Sequence, residues 1–301
     1  MCAAESDDLP SFDLGNYLRQ NIYHRINVDF PGLQLVHEEP YIFLVNDFAS
    51  VEECRLLTSL HESSNAQPSA TGPGQEALRT STSVFPAETS IHWLRERIAA
   101  LTNVQLGQLE PTKISMYAKG QYFKKHTDAS FLNEKLFAYS ARLAEVDEDG
   151  VQAPCSWPSR FCTCFIYLND CASGGRTRFG WLDGAETMPG AGIFEQCINA
   201  LRSSHQSDEK PATNAATRKE LSIPPRTGLA VVHFPTTDFQ MGGCVPDPRT
   251  MHESETAVDP KCIIQQFIWP CEIDAAAPDL HEDVRREWLG IQASAQGTPS
   301  S

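Results

Sequence analysis

The spacing of apolar residues changes about one third of the way along the chain. Before residue 110, two segments carry apolar side chains three or four residues apart, which is typical of amphipathic helices. From about residue 112 the apolar residues form short runs separated by glycine and proline, which indicates strands. The pattern therefore predicts helices first and a β-rich region after them.

The first predicted helix begins with a capping sequence. Ser50 and Glu53 are three residues apart, so the Ser50 hydroxyl can accept a free amide while the Glu53 carboxylate reaches back to Ser50. A run at 41–45 predicts a buried strand before this helix, and residues 1–40 and 62–75 are interpreted as a partly helical lead-in and a loop. The apolar positions of the two predicted helices are Cys54, Leu57 and Leu60, and Ile91, Leu94, Ile98 and Leu101.

The β-rich region predicts the fold class. Several short strands after helices favour a sandwich or barrel with helices packed on one side, so the chain is expected to be mainly β with supporting helices. The predicted strands are 113–117, 122–126, 161–168, 177–179, 229–234 and 261–269.

The same pattern divides the chain into three segments. Residues 1–110 are predicted to form an N-terminal helical and strand region that supports the core. Residues 111–272 form the core, with a polar insertion at about 183–222 that could cover an active site. Residues 273–301 are predicted to contain a C-terminal helix near 279–291 and a disordered tail.

Composition and charge narrow the functional classes. Apolar residues make up 41% of the chain and charged residues 21%, so an ordinary core can form. The net charge of −15 disfavours nucleic acid and anionic membranes as partners, because phosphates would be repelled. The chain shows no signal region, no apolar run long enough to cross a bilayer and no Asn-x-Ser/Thr sequon, and its ten cysteines are scattered. These features predict a cytoplasmic protein with free thiols.

The candidate chemistry begins with two residues at the end of the strand predicted at 122–126. His126 and Asp128 are two positions apart, and alternate residues of a strand point to the same face. Two ligands hold a catalytic metal weakly, so a third is needed, and His252 precedes the last predicted strand. Two histidines and one carboxylate leave one face of an octahedral ion open, which is typical of non-haem Fe(II) sites that bind a cosubstrate and O₂.

Lys261 is a second indication of a metal site that binds a cosubstrate. It follows His252 by nine residues, past the turn signal Asp259-Pro260, which predicts a hairpin with His252 and Lys261 on adjacent strands. A buried lysine needs an anionic partner. A dicarboxylate that chelates iron at its other end would supply one.

Four sequence blocks carry a resemblance to a known family. They are YAKGQYFKKHTD, FIYLNDCASGGRTRF, PPRTGLAVVHF, and MHESETAVDPK with the strand that follows it. In order and spacing the chain resembles the Fe(II)/2-oxoglutarate dioxygenases of the prolyl 4-hydroxylase-like group over about residues 112–270. The resemblance implies a double-stranded β-helix, also called a jelly roll. It also implies Fe(II), 2-oxoglutarate as cosubstrate and O₂, with ascorbate as an accessory reductant.

The resemblance also implies roles for individual residues. His126, Asp128 and His252 match the iron ligands of the family, and Lys261 matches the basic residue that pairs with the distal carboxylate of 2-oxoglutarate. Three further positions match residues that line the cosubstrate site: Tyr117, Tyr167 and Thr163.

The substrate is less clearly indicated. Three arginines near the expected mouth could clamp a substrate carboxylate, and two aromatic residues could line the pocket. These candidates are Arg160, Arg178 and Arg249, and Phe131 and Trp181. The favoured reaction is oxidation of an unactivated aliphatic C–H bond of a small molecule, such as an amino acid or a biosynthetic intermediate. The alternatives are a peptide or protein proline as substrate, a non-catalytic binding or sensor module, and a zinc hydrolase, which would leave Lys261 unexplained.

Overall fold

The computed structural model describes residues 25–69, 78–129, 160–183, 220–237 and 245–269. Most of the predicted insertion, the predicted C-terminal helix near 279–291, the tail and the first 24 residues lie outside these ranges. The described part contains two α-helices, α1 (Val51–Glu62) and α2 (His92–Thr102). Single turns of 3-10 helix lie at Glu88–Ser90, Leu106–Gln108 and Pro248–Thr250.

The described strands are short and pair antiparallel throughout. In chain order they are β1 (Leu33–Glu38), β2 (Tyr41–Val45), β3 (Gln67–Pro68), β4 (Thr82–Val84), β5 (Lys113–Tyr117), β6 (Phe123–His126), β7 (Cys162–Tyr167), β8 (Thr177–Phe179), β9 (Leu221–Ile223), β10 (Ala230–His233), β11 (Thr236–Thr237), β12 (Val245–Pro246), β13 (His252–Ser254) and β14 (Lys261–Ile268).

Two sheets carry the fold. The large sheet has eight strands in the order β1-β2-β10-β7-β14-β5-β4-β3, and the small sheet has four in the order β6-β13-β8-β9. The chain crosses between the sheets from β5 to β6, β7 to β8, β9 to β10 and β13 to β14. This alternation is the double-stranded β-helix, or jelly roll, so the predicted fold class is confirmed.

Alternating side chains of the large sheet build two apolar layers. One face packs beneath α1 and α2, and the other faces the small sheet. On β5, for example, Ile114 joins the helix-side core, whereas Tyr117 packs with Phe179 and Ile223 of the small sheet. The strands read as nearly continuous apolar runs because both faces of the large sheet are covered.

The cap of α1 is formed as predicted. The Ser50 hydroxyl accepts the Glu53 amide at 3.1 Å, and the Glu53 carboxylate accepts the Ser50 amide at 2.8 Å. The same carboxylate binds the Arg97 guanidinium of α2 at 2.8 Å through both oxygens. The cap therefore also joins the two helices on the outer face of the large sheet.

Two predictions about local structure were wrong. Residues 33–38 lie in the predicted helical lead-in but form β1, because pairing with β2 at the sheet edge outweighs a weak local pattern. His252 and Lys261 do not lie on one hairpin. β13 pairs with β6 and β8 in the small sheet, whereas β14 pairs with β5 and β7 in the large sheet. The segment between them crosses from one sheet to the other.

Strands from both predicted segments meet in one sheet. β1 to β4 precede residue 111, and they extend the large sheet on either side of β10, β7, β14 and β5. The three-part division stays a prediction, because residues 184–219 and 270–301 lie outside the described ranges. Neither α1 nor α2 combines the length and the apolar character that crossing a bilayer requires, and no other helix of the described residues does.

Candidate metal and cosubstrate site

Three potential ligands converge at one end of the small sheet. His126 ends β6 and pairs in register with His252, the first residue of β13. Asp128 lies two residues beyond β6, with its carboxylate 3.7 Å from His126 Nε2 and 3.6 Å from His252 Nε2. The three donor atoms all lie within 4.8 Å of one another. The structure thus brings together the three residues predicted as metal ligands, although Asp128 lies past the strand end.

Both imidazoles are oriented by backbone carbonyls. His126 Nδ1 lies 2.7 Å from the Lys124 carbonyl, and His252 Nδ1 lies 3.1 Å from the Thr250 carbonyl. A carbonyl can only accept, so Nδ1 carries the proton in each ring and the Nε2 lone pair faces the centre. His126 Nε2 is buried and has no hydrogen-bond partner among the described residues. Such an orphaned acceptor is what a bound metal would satisfy.

The local electrostatics favour the ligand forms of all three side chains. Burial, together with the neighbouring His252, holds the pKa of His126 well below its usual value, and burial lowers the pKa of His252 to about 4. Burial alone would raise the pKa of Asp128, but His252, the hydrogen bond from His233 and His126 outweigh it and hold that pKa well below its usual range. At neutral pH the site therefore offers two neutral imidazoles and one carboxylate.

This donor set fits a divalent transition metal. Two nitrogens and one carboxylate oxygen suit Fe(II), and they also occur in catalytic zinc sites. The triad therefore indicates a metal centre but does not distinguish an Fe(II) site from a zinc site. The residues at the other end of the cavity distinguish the two.

Lys261 lies at that other end and is fully buried. Its Nζ donates to the Gly175 carbonyl at 2.8 Å and to the Ser254 hydroxyl, and it lies 4.6 Å from the centre of the Tyr117 ring. Burial lowers the pKa of Lys261 to about 7. No carboxylate of the described residues is within ion-pair distance of this ammonium. A buried cation that lacks a counter-charge is a site for an anion.

The two ends share one cavity between the sheets. It encloses about 350 Å³, counting the space at its open side, and is lined by the triad, Lys261, Tyr117 and Thr163 among others. Thr163 Oγ1 is buried there without a hydrogen-bond partner among the described residues. Gly175 lies beside Lys261 with a φ of 64°, in the left-handed region, and an added Cβ there would lie 3.4 Å from the Lys261 side chain. The glycine therefore allows its carbonyl to approach the ammonium closely.

The predicted cosubstrate residues differ in their placement. Tyr117 and Thr163 line the cavity with Lys261. Tyr167 lies on the same face of β7 but outside the cavity lining. Its hydroxyl is 2.6 Å from Thr177 Oγ1 and 3.1 Å from the Ile223 carbonyl, so it joins the large sheet to the small one.

The three predicted substrate arginines already have acidic partners. The pairs are Arg160 with Glu110, Arg178 with Glu220 and Glu253, and Arg249 with Asp247 and Glu39. None of the three arginines lines the cavity. Arg160 is the nearest to the metal site, because its guanidinium lies 3.5 Å from the Asp128 carbonyl oxygen, yet both its Nε and Nη2 are bonded to Glu110.

Only one of the two aromatic candidates lies among the described residues. Trp181 lies beneath the Lys125 ammonium, with 3.6 Å between Nζ and the ring centre, and does not line the cavity. Phe131 lies outside the described residues.

His233 is a site residue that the sequence analysis did not single out. It is fully buried on β10, and its Nε2 lies 3.2 Å from the Asp128 carboxylate. Its Nδ1 has no hydrogen-bond partner among the described residues. His233 therefore donates to Asp128 and fixes the carboxylate beside the two ligand histidines. The sequence feature that could have indicated this role is the position of His233 inside an apolar strand, because a buried imidazole needs a hydrogen-bond partner.

Comparison with known proteins gives distant matches in fold. No family model matches the sequence, and no curated protein does. A viral collagen prolyl hydroxylase from Paramecium bursaria Chlorella virus-1, solved with 2-oxoglutarate, is 15% identical over 78% of this chain and 98% of its own, with a TM-score of 0.41. A Trichoplax adhaerens prolyl hydroxylase bound to a hypoxia-inducible-factor peptide is 12% identical over 76% and 83%, with a TM-score of 0.45.

A third solved structure comes from a different biochemical setting. The non-haem alpha-ketoglutarate-dependent epimerase of nogalamycin biosynthesis is 12% identical over 77% of this chain and 80% of its own, with a TM-score of 0.41. At such identities and TM-scores, a functional assignment must rest on the geometry of the site itself.

Proposed function

We propose that this chain is an Fe(II)- and 2-oxoglutarate-dependent oxygenase. One observation carries the proposal: the largely buried His-Asp-His triad and Lys261, a buried lysine with no carboxylate partner among the described residues, lie at two ends of one cavity between the sheets. A keto-dicarboxylate that chelates the metal at one end and pairs with Lys261 at the other satisfies both. A zinc hydrolase would use the triad but would leave the Lys261 charge without a function.

The chain's own residues would hold the two ligands as follows. His126, Asp128 and His252 would bind Fe(II), and His233 would hold the Asp128 carboxylate in place. Lys261 binds the distal carboxylate of 2-oxoglutarate beside the Tyr117 ring, and the unpaired Thr163 hydroxyl offers a further hydrogen bond. With Fe(II) and 2-oxoglutarate bound, such a site would supply O₂ activation coupled to decarboxylation of 2-oxoglutarate to succinate and CO₂, for oxidation of an aliphatic C–H bond.

The protein contributes positioning and exclusion of water. Asp128, His252 and Lys261 are all less than a tenth exposed, and apolar side chains from both sheets surround the cavity. Electrostatic interactions inside such a site are stronger than in water, and a reactive species is shielded from solvent.

The substrate class proposed with this reaction is a small molecule, such as an amino acid or a biosynthetic intermediate. A peptide or protein proline would use the same metal and cosubstrate residues. Both classes give the same dependence on 2-oxoglutarate, so the reaction class can be tested before the substrate is known.

The test is succinate formation from 2-oxoglutarate by protein loaded anaerobically with Fe(II) and then exposed to O₂. We expect turnover in the unaltered protein and its loss in Asp128→Ala, together with loss of metal binding. His92→Ala is the matched control, because His92 is exposed on α2 and its one ion-pair partner among the described residues is Glu96 at 3.3 Å. Turnover that persists in Asp128→Ala after strict metal removal would reject the ligand assignment. Binding of metal and 2-oxoglutarate without any turnover would support the sensor module instead.

A further inference from the structure

A second cation with no carboxylate partner among the described residues lies on β5, the strand that pairs with the β14 strand of Lys261. Lys113 begins β5, and strand alternation places it on the inner face with Tyr117. Its ammonium lies 5.5 Å from the centre of the Phe267 ring on β14. Lys113 also pairs in register with Gln265, which lines the cavity. Lys113 therefore lies beside the cavity at the end opposite to Lys261.

The charges around Lys113 do not balance. Arg79 is only 5% exposed and donates to serine hydroxyls and the Gln265 amide oxygen, all of them neutral. Arg160 is bonded through two nitrogens to Glu110 at 2.6 and 2.8 Å. Among the described residues, no carboxylate lies within ion-pair distance of Lys113 or Arg79. Of these three cations, therefore, only Arg160 is paired with a carboxylate of the described residues, while the Asp128 charge belongs to the metal site.

This imbalance has an energetic consequence. Burial, with the positive charges of Arg79 and Arg160, lowers the pKa of Lys113 well below its usual value. An anion placed against Lys113 would remove that penalty, because an opposite charge favours the ammonium form. The region therefore attracts an anionic group more strongly than an exposed lysine would.

An anion bound at Lys113 would lie close to the metal site, on the side away from the cosubstrate. Lys113 and Tyr117 are four residues apart on one strand, which corresponds to roughly 13 Å. The cosubstrate would occupy the space from Lys261 to the metal. The Arg160 guanidinium contacts the Asp128 carbonyl and stacks on Phe267 at 3.6 Å, so the Lys113 end adjoins the metal site from the other side.

We propose that Lys113 binds a carboxylate of the primary substrate, so that the substrate is a small carboxylic acid whose carbon chain extends from Lys113 toward the metal. This inference rests on the proposed function and deepens it. It assigns to Lys113 the clamp that the sequence suggested for Arg160, because the Arg160 nitrogens are already bonded to Glu110. Arg79 adds to the positive field behind Lys113 and holds Gln265 in place.

The experiment compares matched acids and amides. Common L-amino acids and their α-carboxamides are titrated into Mn(II)-loaded protein containing 2-oxoglutarate, and binding is followed by proton relaxation of the bound probe. We expect the acids that bind to do so about 10- to 100-fold more tightly than their amides. Lys113→Met should abolish that preference, Lys113→Arg should retain most of it, and Lys119→Met, which alters an exposed turn lysine, should leave it unchanged.

Three results would overturn the inference: equal binding of acids and amides, no binding of any acid, or an acid preference that survives in Lys113→Met. Circular dichroism of each variant separates lost binding from lost folding. Succinate formation by the unaltered protein without any probe tests the proposed function separately. If that turnover is present and the acid preference is absent, only the role of Lys113 is rejected.

Discussion

The buried Lys261 should make the binding of 2-oxoglutarate depend on pH. Burial lowers the pKa of Lys261 to about 7, whereas the ordinary value for lysine is 10.5. At 1.36 kcal/mol for each pKa unit, the empty site disfavours the ammonium by on the order of 5 kcal/mol relative to water. A bound carboxylate would offset that penalty and raise the pKa again.

The affinity for 2-oxoglutarate should fall as pH rises, because the pKa of Lys261 is lower in the empty protein than in the bound protein. Below pH 7 Lys261 is already charged, so a carboxylate binds without proton uptake. At pH 8 and 9 most of the empty protein carries neutral Lys261, which must take up one proton on binding, so Kd should rise about tenfold for each pH unit. His126 and His252 contribute no protons in this range, because burial keeps the pKa of both far below 7.

Titration calorimetry can measure both quantities. Mn(II)-loaded protein is titrated with 2-oxoglutarate from pH 6.5 to 9 in two buffers of different ionisation enthalpy, which gives Kd and the number of protons taken up. The matched variant is Lys261→Arg, whose guanidinium stays charged and should remove both the slope and the proton uptake. A flat Kd in the unaltered protein, or a slope that survives in Lys261→Arg, would refute the assignment of this pH dependence to Lys261.

Three further predictions concern single residues. His233→Leu should weaken metal binding about 10- to 100-fold, because it removes the hydrogen bond to Asp128, and His233→Asn should weaken it less; equal affinities by competition with a chelating dye would remove His233 from the site. Gly228→Ala should destabilise the fold by at least about 2 kcal/mol in urea, because Gly228 has a φ of 78° and an added Cβ would lie 2.1 Å from the Ala49 carbonyl; an unchanged midpoint would contradict this. Lys261→Met should stabilise the ligand-free protein at pH 7 by about 1–3 kcal/mol, with the gain shrinking toward pH 10 as the unaltered lysine loses its charge; a gain that grows with pH would show the wrong sign.

Local patterns were sufficient to predict much of the fold. The cap at Ser50 and Glu53 and the apolar runs of β2, β7 and β14 depend on neighbours within a few residues, and the structure has each of them. The edge strand β1 was missed because its residues show little periodicity and its pairing partner supplies the order. Likewise, the turn signal before Lys261 correctly marked a strand start but could not tell a hairpin from a crossing between sheets.

For the candidate site too, some features could be predicted from the sequence and others could not. The spacing of His126 and Asp128 and the position of Lys261 could be recognised along the chain, and the structure places these residues around one cavity. Partners distant in sequence could not be recognised. Arg160 is bonded to a carboxylate fifty residues earlier, and His233 reaches Asp128 from more than a hundred residues away. Which charges are already paired, and which are left for a ligand, depends on the folded register.

The proposed oxygenase function requires that one keto-diacid chelate the metal and pair with Lys261 at the same time. An anaerobic titration of Fe(II)-loaded protein with 2-oxoglutarate, followed by visible absorption, tests this claim. We predict a metal-to-ligand charge-transfer band that saturates with 2-oxoglutarate, is absent with glutarate, which lacks the keto group, and is lost in Asp128→Ala. No band in protein that demonstrably holds both Fe(II) and 2-oxoglutarate would contradict the account.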